Sequence, residues 1–540
     1  MSENHPNILL IMCDQLRPDF LGAYGCDFIE TPNIDRLARE GCVFENAYTP
    51  NPVCIPARHN LITGLTARHH GFDNNYFGLN AKPCPSTLPT FAQILNDNRY
   101  ETIAIGKMHF QPARRALGFD YFLSMDEVPS TREEDDYALY LKAQGYGALQ
   151  SINGVRTCLY MQPQRALISA EHHGSHWVAD RAIEFFRSNH GRMPFLMYAG
   201  FIHPHPPFNV PDEWAEKYVG KIPPPVQSNT PISAIAREKN QLGCLDDPAA
   251  LQRVRELYAS AISFVDYNIG RMVGELEAQG LLDDTLILLL SDHGEMLGDM
   301  GTFQKMLPYD ASSKIPFILR WPEHVQAGSR DTRFVDLNDV LPTFLDAAKL
   351  DYPCDYDLPG ESVLIPEGVK NRTVQYVEHH RENKRWISLR DHRYKYIFHY
   401  GDKAELYDLT SDPHETTNLL HGVPPNREAL AVRNRLHNQL LCYEARYGLR
   451  GYVVDGAFKQ FPPYQPQPDY ETNFPCFPKM MTPEEQSTLN NYDDEILRAI
   501  QKEPVVKLRN NHTAEILSLS DAYSPERIER LLARANAQGN

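Results

Sequence analysis

The chain has 540 residues, 42% of them hydrophobic and 23% charged, with a formal net charge of −17 at pH 7. That length allows a large α/β core with a second, smaller unit. The acidic balance argues against nucleic acid or an anionic membrane as the main partner, but not against a small anion held in a local cationic pocket. No apolar run reaches membrane-spanning length, and the opening Met1–Asn7 lacks a charged-then-apolar leader pattern. Ten cysteines without framework spacing read as reduced thiols. A cytoplasmic protein is expected, or a periplasmic one if a leader has been lost.

Asn7–Cys13 is a short apolar run of buried-strand type, with Asp14-Gln15 at its end. Thr31-Pro32 opens a helix with a cap and a first-turn proline, and Gly41 closes it. In the stretch from Asn51 to Gly64, Cys54, Pro56, Arg58, Thr63 and Gly64 stand at the spacing C-x-P-x-R-x4-T-G. Pro56 suits a first helical turn, which puts Cys54 at the positive, anion-friendly end of that helix. Arg58, one turn on, faces the same way. Ser86–Asn98 has helical spacing. Tyr100–Gly106 is strand-like and leads into Lys107-Met108-His109, whose alternation sets Lys107 and His109 on one face.

From Glu127 to Ser175 the composition is polar and irregular, as for an insert at the rim rather than in the core. Trp177–Ser188 is helical, and Pro194–Phe201 is an apolar run ending in His203-Pro-His205-Pro-Pro-Phe208. Pro206 to Asp247 reads as a long surface excursion. Pro248–Gly280 is a helix, Asp284–Ser291 a buried strand followed by Asp292-His293-Gly-Glu295, Ile315–Arg320 a strand and Leu337–Leu350 a helix. Four apolar strands thus end in Asp, Lys or His, and open parallel sheets bind ligands beyond their carboxyl ends. After about residue 365, Thr373–Glu378, Lys384–Arg390, Tyr394–His399 and Glu405–Leu409 read as strands at hairpin spacing, and Asn426–Tyr447 as a helix. Tyr452–Pro483, dense in Pro, Tyr and Phe, reads as an arm over the body or a neighbour. The expected units are residues 1–365 (inserts 127–175 and 206–247), 366–450 and 451–540.

The Cys54 spacing resembles the signature of the formylglycine-dependent sulfatases of the alkaline phosphatase superfamily, and the likeness extends over about residues 5 to 420. It implies an α/β fold, a mostly parallel mixed sheet sandwiched by helices, with a smaller carboxyl-terminal antiparallel sheet. The implied activity is sulfuric ester hydrolysis. Residue 54 would be oxidised to formylglycine by a formylglycine-generating or anaerobic sulfatase-maturing enzyme. Asp14, residue 54, Asp292 and His293 would hold one divalent cation, Ca²⁺ or Mg²⁺/Mn²⁺. Many sulfatases carry Asp-Asp and Asp-Asn where this chain has Asp14-Gln15 and Asp292-His293, a variation shared by choline sulfatases and phosphonate monoester hydrolases.

By the same resemblance Cys54, Arg58, Lys107, His109, His205 and Lys305 are the expected catalytic residues, with Asn74, His203 and Arg381 as substrate contacts. His379, His380, Arg381, Lys384 and Arg385 read either as a rim for an acidic substrate group or, more simply, as a solvated basic edge. The implied chemistry uses hydrated residue 54, one hydroxyl to take the sulfuryl group and the other to release it, while His205, with Lys305, protonates the leaving alcohol. A sulfated carbohydrate is the preferred substrate, with choline sulfate and a phosphonate monoester or phosphodiester as alternatives. A binding protein with an unconverted thiol is the reading from another class. An arm of this composition could also exchange between subunits of a homo-oligomer.

Overall fold

The computed structural model describes residues 5–75, 87–129, 131–156, 160–189, 191–238, 248–365, 372–380, 384–422 and 426–465, together with Glu495, Arg498, Ala499, Gln501, Lys502, Glu503 and Ala533. Eight strands form the main sheet: β1 (Asn7–Cys13), β2 (Cys42–Tyr48), β3 (Glu101–Gly106), β4 (Tyr121–Ser124), β5 (Phe195–Phe201), β6 (Thr285–Ser291), β7 (Phe317–Arg320) and β8 (Ser329–Asp336). Their order is β8-β2-β7-β6-β1-β5-β3-β4. Only β7 runs against its neighbours β2 and β6. The central strands β6, β1, β5 and β3 are parallel, so their carboxyl ends share one edge.

Burial on both faces explains why these strands are nearly continuous apolar runs. Along β1, Leu9, Ile11 and Cys13 enter the core that holds the helices Gly174–Asn189 and Pro248–Ala278. Ile8, Leu10 and Met12 enter the opposite core, with Ala57, Phe91 and Phe344. The helix Pro32–Glu40 starts at Thr31, but the Thr31 side chain makes no capping bond. Asp266, reaching in from the long helix, accepts from Asn33 N–H (3.1 Å) and Ile34 N–H (2.7 Å) instead.

A second sheet follows in antiparallel order: β9 (Gln375–His379), β10 (Trp386–Arg390), β11 (Tyr394–His399) and β12 (Glu405–Asp408). It packs with the helix Arg427–Tyr447 around its own core of Ile387, Leu389, Leu406, Leu436 and Leu440. Trp386 Nε1 donates to Met306 O at 2.9 Å and Glu378 N–H to Pro50 O at 2.9 Å, which fastens this sheet to the loops around the site. The fold is thus the one the family resemblance implies.

Two segments differ from the sequence expectation. Tyr137, Leu141, Ile152, Met161 and Ile168, from the stretch read as rim, are core residues. Phe208, Val210, Tyr218 and Ile222, from the stretch read as a surface excursion, pack in the same core. Isolated apolar anchors among polar residues leave no periodicity, so composition alone hid them. No described helix is long and apolar enough to cross a membrane.

Candidate active site

The site is assembled from the residues just past the four central strands. Cys13 pairs in register with Ser291 on one side and Phe201 on the other. Asp14 and Asp292 are therefore successors of adjacent strand ends. Asp14 N–H donates to Phe201 O at 3.1 Å, and Gln15 N–H to Asp292 Oδ1 at 3.1 Å. Lys107 follows Gly106, whose φ is +94° and whose missing Cβ would meet Gly200 O at 2.1 Å. Only glycine allows β3 and β5 to meet so closely there.

The helix Cys54–Thr63 begins at Cys54, is buried throughout and ends at Gly64 with φ +67°. It aims its amino end at the strand ends. Cys54 Sγ is 3.1 Å from His293 Nε2 and 4.0 Å from Asp14 Oδ1. Ligand atoms of Asp14, Cys54, Asp292 and His293 all lie within 4.8 Å of one another, and all four residues are buried. Two carboxylates, one imidazole and the side chain at position 54 form a donor set suited to a hard divalent cation, so these residues fit the metal that the fold implies.

Cations surround this cluster. Arg58 Nε donates to Asp292 Oδ2 at 2.8 Å, and its Nη2 to Asp14 Oδ2 at 3.1 Å. Lys107 Nζ lies 2.5 Å from Asp14 Oδ2. Lys305 Nζ donates to Gln15 Oε1 at 2.8 Å and lies 2.7 Å from His205 Nε2. Burial opposes ionisation of the Cys54 thiol, but Lys305, Lys107, His293 and a hydrogen bond from His109 hold it well below its ordinary range. The residue-54 side chain thus sits among cationic groups. Burial pushes His205 down, and Lys305 and Lys107 add to this, while Glu127 opposes them.

Cys54, Arg58, Lys107, His109, His205, Lys305, Asp14, Asp292 and His293 are thus brought together. His203 points to other partners: its ring lies 4.6 Å from that of His173, and its Nε2 is 3.2 Å from Asn209 Oδ1. Burial pushes it down to about 4. Asn74 donates to Asp73 Oδ1, whereas Asn75, not singled out from sequence, accepts from Ile55 N–H at 3.0 Å beside Cys54. Arg381 lies outside the described residues. Arg385 is no solvated rim residue: it is buried, bonded to Glu378 (2.9 Å) and Glu444 (2.5 Å).

Sequence reasoning missed Glu127. Its Oε2 is 2.6 Å from Lys107 Nζ, its Oε1 is 3.6 Å from His205 Nε2, and it pairs with Arg156, whose guanidinium lies 4.4 Å over the Tyr160 ring. Glu127 follows β4 by three residues. Reading Tyr121–Ser124 as a strand would have placed this carboxylate at the same edge as the others.

A buried cluster of carboxylates, imidazoles and cations at the carboxyl edge of a mostly parallel sheet is the arrangement of an enzyme acting on an anionic group. The Sulfatase family model matches residues 6–350, and the model for the carboxyl-terminal part of N-sulphoglucosamine sulphohydrolase matches residues 298–446. An arylsulfatase of Clostridium perfringens is 30% identical over 479 residues, covering 83% of this chain and 98% of the relative. An N-acetylglucosamine-6-O-sulfatase of Bacteroides thetaiotaomicron is 27% identical, covering 77% and 82%. The phosphonate monoester hydrolase of Agrobacterium radiobacter shares the fold, with a TM-score of 0.71 at 24% identity, covering 85% of this chain and all of that one. The chain belongs to the sulfatase family and is a sulfuric ester hydrolase. Membership implies, in general, a metal ion and a formylglycine.

Proposed function

We propose that this enzyme cleaves an O-sulfate from a sulfated carbohydrate, with residue 54 converted to formylglycine and a divalent cation, Ca²⁺ or Mg²⁺/Mn²⁺, held by Asp14, residue 54, Asp292 and His293. The observation that carries this reading is the convergence of those four ligand positions within 4.8 Å at the amino end of one helix. The cation, when bound, supplies Lewis acidity toward the oxygens on residue 54 and on the sulfate.

The chain's own residues account for the rest. Arg58 braces Asp14 and Asp292 through one ion pair to each. Lys107 and Lys305, both buried and both acting on residue 54, match the charge of a sulfate. His109, in hydrogen-bond contact with residue 54, is the base toward that side chain. His205, with Nδ1 2.6 Å from Pro206 O, presents Nε2 to Lys305 Nζ at 2.7 Å, so the His205–Lys305 pair together supplies the proton for the departing alcohol.

Glu127, Arg156 and Tyr160 offer acceptors and donors to a polyol. The charge of Glu127 is already matched by Lys107 and Arg156, so it is no counter-ion for a quaternary ammonium, which favours a sugar over choline. The K-x-H pair of Lys107 and His109 favours sulfate over phosphonate, since phosphonate monoester hydrolases carry uncharged residues there. Three measurements on one preparation test the reading. Mass spectrometry of the peptide holding residue 54 reads the conversion, a loss of about 18 Da. Turnover of 4-nitrophenyl sulfate against a phenylphosphonate monoester reads the acid group, and a panel of sulfated sugars with choline sulfate reads the alcohol. A large excess of phosphonate turnover, or an unmodified cysteine from a host competent for conversion, would overturn it.

A further inference from the structure

Residues 150–166 lie within the 127–175 insert and bring Arg156 and Tyr160 beside Glu127 and His205. Among their described residues there is no helix, and the one strand is the two-residue piece Gln164–Arg165, which pairs with Asn209–Val210. Such a stretch must find partners for its backbone elsewhere. At its start, Gln150 N–H and Ser151 N–H donate to the two carboxylate oxygens of Glu495 at 2.8 and 2.9 Å. At its end, Arg165 Nε donates to Glu503 at 2.7 Å, and Glu503 also takes Arg253 Nε (2.9 Å) and Nη2 (2.6 Å). Lys502 Nζ donates to Ala166 O at 3.0 Å and to Asp212 Oδ2 at 2.8 Å. Glu495 and Glu503 are both buried, and Glu495 is 345 residues from Gln150 in sequence.

Between these anchors the segment carries its contribution to the pocket. Arg156 meets Glu127, and its Nη1 lies 3.5 Å from Pro206 O. The Tyr160 ring is 6.4 Å from that of His205. Gln164 closes the span on itself, its amide exchanging hydrogen bonds with Val155 N–H (2.8 Å) and Val155 O (2.9 Å). The described residues of this segment beside His205 are thus held at both ends by Glu495, Lys502 and Glu503.

We infer that Glu495 and Glu503 are positioning residues, which latch the 150–166 wall so that Arg156 and Tyr160 face the alcohol portion of the substrate. They touch neither the reacting atoms nor the metal ligands. The latch therefore acts first on recognition of the alcohol, and reaches Lys107 only indirectly, through Arg156 and Glu127. This inference rests on the sulfatase reading for its kinetic arm but not for its structural arm.

The test uses the full-length, matured enzyme with Glu495→Ala, Glu503→Ala and both together. Hydrogen exchange read by mass spectrometry is expected to quicken in peptides of 150–166 and to stay unchanged in β1 and β6. KM for N-acetylglucosamine 6-sulfate is expected to rise about tenfold, while kcat/KM for 4-nitrophenyl sulfate, whose flat leaving group needs little from that wall, stays within about threefold. A parallel loss on both substrates, or unchanged exchange across 150–166, would overturn the latch. If the alanine variants do not fold, Glu495→Gln and Glu503→Gln carry the same readouts. If the unsubstituted enzyme hydrolyses no sulfate ester, that failure belongs to the sulfatase reading, and the exchange result alone decides the latch.

Discussion

Glu127 Oε2 and Asp14 Oδ2 lie 2.6 and 2.5 Å from the same nitrogen, Lys107 Nζ, so one buried ammonium is divided between the metal cluster and the wall beside His205. The proton affinity of His205 depends on this arrangement. Burial lowers it, Lys305 and Lys107 lower it further, and Glu127 raises it. Removing the Glu127 charge by Glu127→Gln lowers it again, so protonated His205 is lost at a lower pH. The alkaline limb of kcat/KM on a sugar sulfate is expected to move toward acid. With 4-nitrophenyl sulfate, whose leaving group needs no proton, the limb should stay in place. An unmoved limb on the sugar would remove Glu127 from the proton balance.

Cys54→Ser retains one hydroxyl at position 54 and cannot present two. It should accept a sulfuryl group and fail to release it. Incubation with 4-nitrophenyl sulfate is expected to add about 80 Da to the intact protein while multiple turnover is lost. Sustained turnover by this variant would remove the need for a second oxygen at residue 54.

Removal of divalent ions should abolish turnover and lower thermal stability together, because a cation bound only by the folded state stabilises it. Ca²⁺, Mg²⁺ and Mn²⁺, added back singly to the chelated enzyme, should each be read for recovered activity and for the melting temperature. Asp292→Asn is expected to need more metal for half-recovery. A chelated enzyme of unchanged rate would show that Asp14, Asp292 and His293 serve some other end.

Glu444 accepts from Arg385 Nη2 at 2.5 Å and from Tyr376 Oη at 2.5 Å, with its side chain fully buried. Glu444→Ala leaves Arg385 with Glu378 as its one carboxylate partner among the described residues, beside the Tyr400 and Tyr452 rings. The expected loss is about 3 kcal/mol, at the lower end for a broken buried pair, read by urea unfolding. Activity per folded molecule should be preserved, since Glu444 belongs to the small sheet and its helix.

Much of the core was legible in the sequence because strands buried on both faces leave uninterrupted apolar runs, as in β1, β5 and β6. Where a strand lies at an edge, that signal disappears. β8 alternates partly exposed charged residues along Ser329–Arg333, and β4 has only four residues. With β4 unread, Glu127 went unread too. The site residues stood out where a motif fixed their neighbours: Cys54 with Arg58, Lys107 with His109, and Asp292 with His293. Arg156 and Tyr160 have no such context, and nothing local to them announces that Glu495 and Glu503 hold their segment in place.

The pairing of Cys13 with Ser291 and Phe201 has an evolutionary corollary. The distance between Asp14 and Asp292 is dictated by the spacing of neighbouring strands, a quantity that loops scarcely alter. Insertions around the mouth and changes in the chain's tail can therefore accumulate without disturbing the reaction centre. One lineage can diversify its choice of ester while inheriting an unaltered engine.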